Sequence, residues 1–123
     1  MKTDLKSGPG ADTFNVTRIK KTVFDDRWVK FAFGPQGFKN TENLNLGIVC
    51  FSKNRTSLNH THETDEALFV LSGSGKLKIS KTIYDIKKND FAYIPAGSDH
   101  QIITGEKSLK ILFIFSGNIK IHY

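Results

Sequence analysis

The chain has 123 residues, a net charge of +6 and 38% hydrophobic residues, with ten Phe, which suits one domain with a core that needs no staples. Its single cysteine, Cys50, excludes an internal disulfide framework, and no run approaches the roughly 20 apolar residues of a membrane span. The start, Met1 to Ser7, has no apolar core behind its charges and is not read as a signal peptide, so the expected address is the cytoplasm.

Along the chain, residues 1–14 carry Gly8-Pro9-Gly10 and little periodicity, and are expected to form an arm outside a single domain over 15–123. The nearest helical candidate, Thr13 to Lys21, fits neither period well. Strands are expected over Trp28–Phe33, Leu44–Phe51, Ala67–Leu71, Lys76–Ser80, Ile83–Lys87, Phe91–Ile94, His100–Thr104 and Leu109–Phe115. Cys50 falls in the second of these and is expected to be a buried, inert thiol. Gly34-Pro35-Gln36-Gly37, Ser72-Gly73-Ser74-Gly75, Lys88-Asn89-Asp90 and Pro95-Ala96-Gly97 read as turns. Strands recurring about every ten residues argue for an all-β sandwich or barrel. The basic residues are dispersed: Lys76 and Lys78 alternate with Leu77 and Ile79, as in a strand with one wet face. No basic-aromatic pattern points to nucleic acid.

Three of the four histidines fall in two clusters within these strand-like stretches. The first reads His60-Thr61-His62 with Glu66 four residues on; the second is Pro95-Ala96-Gly97-Ser98-Asp99-His100. Side chains two apart on a strand share a face, so His60 and His62 are expected to converge with Glu66 and His100. Three imidazoles and a carboxylate suit Fe, Mn, Ni, Zn or Cu rather than Mg or Ca.

The spacing from His60 through His62 and Glu66 to Gly73, followed by Pro95-Ala96-Gly97-Ser98-Asp99-His100, resembles the two sequence motifs of the cupin superfamily. The motifs span Asn54 to Thr104. Three positions depart from the family pattern: Asn54 and Asn89 replace opening glycines, and Thr104 replaces a closing asparagine. Asn tolerates the left-handed conformation better than other non-glycine residues, so both turns are expected to survive. The resemblance implies a jelly-roll β-barrel in which His60, His62, Glu66 and His100 bind one divalent transition metal. Six-coordinate metals at such a site keep positions open for water or substrate, the mark of a catalytic centre.

Leu68, Val70, Ile102 and Thr104 are expected to line the cup, with Ile48 and Cys50, or else Val49 and Phe51, beside them. Phe113 or a neighbour completes the wall. Tyr93 is the candidate proton donor, with Tyr84 and Arg27 behind it. Glu63 and Asp65 are expected to be solvated, and His122 exposed and inert. Two functions follow: a metal-dependent enzyme (isomerase, lyase or dioxygenase type) acting on a small polar or carboxylate-bearing molecule, or a non-catalytic cupin binding or sensing a sugar or small acid. A homodimer is expected, with no nucleic-acid or membrane partner.

Overall fold

The computed structural model describes residues 12–117. Residues 1–11, most of the expected arm, and His122 lie outside the described residues. A single 3₁₀ turn, Val16–Arg18, is capped by Asn15, whose side-chain oxygen accepts the Thr17 N–H. Nine strands follow: β1 (Thr22–Val23), β2 (Arg27–Gly34), β3 (Lys39–Asn40), β4 (Leu44–Phe51), β5 (Glu66–Ile79), β6 (Thr82–Lys87), β7 (Phe91–Ile94), β8 (His100–Ile103) and β9 (Leu109–Ser116). Among the described residues no helix is long and apolar enough to cross a membrane.

The strands form a jelly-roll barrel of two sheets joined through β5. The first sheet runs β1-β2-β4-β9-β5-β7, with β3 parallel to the end of β2. The second places β6 and β8 on either side of the later half of β5. Alternation of side chains on β4 and β9 is strict. Val49, Phe51, Ile111, Phe113 and Phe115 are buried between the sheets, while Leu46, Ile48, Cys50, Leu112 and Ile114 face outward. Cys50 is therefore a half-buried thiol on the outer face.

One expected turn is instead strand. Ser72 to Gly75 lie within the 14-residue β5, where a register shift between Val70 and Ser72 carries the chain from one sheet to the other. Gly73 has φ +85°, and a Cβ there would lie 1.9 Å from the Ser108 carbonyl oxygen. Glycine supplies the bulge that re-aims the strand without ending it. Asn54 (φ 56°) and Asn89 (φ 75°) adopt the left-handed conformation, as expected of asparagines standing for glycines.

Candidate metal centre

Glu66 opens β5 and His100 opens β8. The stretch from Thr56 to His62 is extended but outside the regular ladders, touching β8 through isolated bridges at Thr56–Ile103 and His60–His100. The two histidine segments are nevertheless tied closely. His60 and His100 exchange backbone hydrogen bonds of 3.0 and 2.9 Å, and the Gly97 N–H donates to the His62 carbonyl at 2.8 Å. Gly97, at φ +79°, takes the left-handed turn conformation that glycine adopts without strain.

These ties bring His62, Glu66 and His100 together, with one donor atom of each within 4.8 Å of the others. Glu66 Oε1 lies 3.3 Å from His62 Nδ1 and 3.5 Å from His100 Nε2. All three side chains are largely buried, and neither Glu66 Oε1 nor His62 Nδ1 makes a hydrogen bond. Thr64 Oγ1, on the loop between them, is likewise buried without a partner. Buried polar atoms left unsatisfied are costly, and a lone-pair cluster of this kind fits a cation. His100 Nδ1 lies 3.3 Å from the Ser98 carbonyl oxygen. That oxygen only accepts, so Nδ1 carries the proton and the Nε2 lone pair faces Glu66. His60 lines the same cavity but stands outside the tight set. Its ring centroid is 6.3 Å from that of His100.

The cluster opens on a cavity of about 40 Å³, room for an ion with roughly one to three waters. Val49, Phe51, Leu68, Ile102 and Phe113 form much of the wall. Of the two alternatives on β4, it is therefore Val49 and Phe51 that face inward. Val70 is core, and Thr104 is buried as a structural link: its hydroxyl donates to the Ser52 carbonyl at 2.5 Å and accepts the Arg55 N–H at 3.0 Å. Ser57 also lines the cavity, its hydroxyl accepting the Ile102 N–H at 2.9 Å.

Arg27, from β2, is the cavity's buried cation. Its guanidinium stacks 4.7 Å over the Phe51 ring and donates twice to Asp26, at 2.8 Å each. This pairing holds the Asp26 carboxyl below its ordinary value. Burial lowers the His60 pKa, and the Arg27 charge lowers it further. Burial also lowers that of His100, against the opposing pull of Glu66. Both imidazoles are thereby favoured in the neutral form that binds metals.

Tyr93 is not brought to the cavity. On β7 the buried Ile94 faces inward, so Tyr93 faces out and is 59% exposed. Its hydroxyl donates to Asp65, which also accepts the Ala96 N–H at 2.8 Å; both bonds hold the Asp65 carboxyl below its usual range. Asp65 is thus a clamp between the Glu66 loop and the Pro95 turn, a role its exposed position in the sequence did not signal. Tyr84 is half exposed on β6, away from the cluster, and Glu63 is exposed.

The sequence model of the cupin domain matches residues 47–115. An uncharacterized protein of Streptomyces coelicolor is 25% identical over 79 residues, covering 64% of this chain and 75% of that protein. Among solved structures, the oxalate decarboxylase OxdC of Bacillus subtilis superposes with a TM-score of 0.78 at 18% identity, over 94% of this chain and 32% of its own. The polyketide cyclase RemF of Streptomyces resistomycificus gives 0.75 at 16% identity, over 92% and 88%. The DMSP lyase DddQ of Ruegeria pomeroyi gives 0.76 at 15% identity, over 86% and 60%. This chain thus spans about a third of the decarboxylase chain and three fifths of the lyase.

Proposed function

The chain belongs to the cupin-domain family, and we propose that it is a metal-dependent enzyme acting on a small polar or carboxylate-bearing molecule. The observation that carries this reading is the buried set of His62, Glu66 and His100, whose donor atoms lie within 4.8 Å of one another and include two without hydrogen bonds. His60, on the same cavity wall, is proposed as the fourth ligand. A divalent transition metal held there would supply Lewis-acid stabilisation to negative charge developing on a substrate oxygen.

The chain's own residues define the rest of the chemistry. Ser98 fixes the His100 tautomer, so its lone pair is presented without reorganisation. Arg27, held by Asp26 and Phe51, places a positive charge on the wall near His60 and favours an anionic group on the substrate. The apolar wall keeps bulk water from the reacting centre, which strengthens each of these interactions. A cavity of about 40 Å³ favours a ligand of a few heavy atoms, a small acid rather than a sugar. The enzymes named among the structural neighbours (a decarboxylase, a cyclase and a lyase) are compatible with a charge-stabilising role but do not choose the reaction. A cytoplasmic address and a homodimer belong to the same reading.

The test is metal analysis of the purified protein, then a screen of small carboxylates by NMR for turnover with and without added Fe, Mn, Ni, Zn or Cu. Turnover is expected to depend on metal and to be lost in His60→Ala. Normal turnover by a metal-free protein would reject the proposal.

A further inference from the structure

The seam between β6 and β7 is a part of the barrel that the metal chemistry leaves unused. These strands are consecutive, joined by residues 88–90, yet they do not pair with each other. β6 pairs with residues 74–79 of β5, and β7 with residues 66–69, so the two diverge into different sheets. Between them lies a cleft of about 450 Å³. Leu77 and Ile86 line its floor, and Ala92, on the inner face of β7, is the small residue of its wall. Tyr84 stands opposite Leu77 in the register and shares its inward face. Leu77 is 1% exposed, but Tyr84 is 49% exposed, because no strand among the described residues closes this side of the barrel.

Size and charge together select a class of ligand. The cleft falls in the roughly 300–1,000 Å³ range of small-molecule sites. Tyr84 borders it from β6, and Phe91 and Tyr93 from β7. The chain carries a net charge of +6, yet among the described residues no Lys or Arg lines the cleft, and its two charged residues are acids. Asp85 is engaged by Lys76 at 2.6 Å. The Asp90 carboxylate has a backbone donor instead, the Lys87 N–H at 2.9 Å, which leaves its charge without a partner cation among the described residues. Aromatic faces and a carboxylate attract the same sign of charge, so together they favour a cation with an apolar body.

We propose that this cleft is a second ligand site, which takes a small organic ammonium ion with an aromatic body. The body covers Leu77, Ile86 and Ala92, and Asp90 holds the ammonium group. Burial of the apolar floor supplies most of the affinity, and the carboxylate supplies the selection for charge. None of the residues lining this cleft lines the metal cavity, so the site is tested separately from the enzymatic reading.

The experiment is an amide NMR titration of the full chain, with zinc present, using phenethylamine and, separately, its anionic counterpart phenylacetate. The amine is expected to shift the amides of Leu77, Tyr84 and Ala92 saturably, and to bind at least ~10-fold more tightly than phenylacetate. Asp90→Asn keeps an acceptor for the Lys87 N–H. It is expected to weaken the amine roughly fivefold and to leave the binding of neutral phenethyl alcohol unchanged. Ala92→Leu, which fills the cleft, is expected to abolish binding. If that variant does not fold, Tyr84→Ala, at a half-exposed position, is expected to weaken the amine about threefold. The absence of saturable shifts, shifts confined to metal-cavity residues such as Ile102, or equal affinity for amine and phenylacetate overturns the proposal. So do shifts of the same amides on raising the protein concentration alone, because a second copy would then be the occupant.

Discussion

Burial favours the neutral forms of His60 and His100, and this has a measurable sign. His60 and His100 have folded pKa values lowered below the ordinary 6.5, so between the folded and unfolded values the unfolded chain binds more protons. Their neutral forms support stability above about pH 6.5, and that support is lost as pH falls through the lowered values. The urea midpoint of metal-free protein is expected to drop from pH 7.5 to pH 5, and the drop to be smaller in His60→Gln; a flat profile would contradict the assignment. The carboxylate is held without a hydrogen bond on Oε1, which costs the metal-free protein stability. Glu66→Gln is therefore expected to leave the metal-free melting temperature unchanged or higher, while cobalt affinity, read by competition titration, falls at least ~10-fold.

At the scale of elements, β5 depends on one backbone position. Gly73→Ala would press a methyl group on the Ser108 carbonyl at a positive φ, and is expected to cost roughly 3 kcal/mol in urea unfolding. The sequence could not show this. Ser72-Gly73-Ser74-Gly75 has the composition of both a turn and a bulge, and the carbonyl that decides between them arrives from just before β9. By contrast, Leu44–Phe51 and Phe91–Ile94 were legible to the residue, because alternation and flanking turns are local signals. That His62, Glu66 and His100 approach one another was legible for a similar reason: their spacing is written in two short stretches. Ser57 was not, since no local pattern shows that it meets the cavity; Arg27 was named only as a weaker candidate behind Tyr93, and its place on the cavity wall comes from the strand pairing of β2. The facing of Tyr93 could not be read from the sequence, and strand parity decides it: Tyr93 shares the outward side with Phe91, and Ile94 takes the inward one. The Asp65 clamp gives an element-scale prediction. Asp65→Ala is expected to loosen the Glu66 loop and weaken metal binding several-fold by the same titration. Tyr93→Phe, which keeps the Asp65–Ala96 bond, is expected to bind metal within twofold of wild type.

For the whole molecule, a ligand bound only by the folded state adds stability by mass action. Metal at a hundred times its dissociation constant contributes about 2.7 kcal/mol, a rise of roughly 10 °C in melting temperature for a domain of this size. Scanning calorimetry before and after chelation checks this, and no shift would show that the donors do not hold an ion in solution. The burial of the cluster has a further consequence for handling the protein. An ion held by these buried donors beside a cavity of about 40 Å³, among loops tied together at His60, His62 and Asp65, is expected to exchange slowly. Imidazole sites also prefer copper and zinc to manganese or iron. The cation found after purification would then record what the host cell supplied during synthesis rather than what the reaction requires. Refolding into a chosen metal, not soaking, is the way to ask which one works.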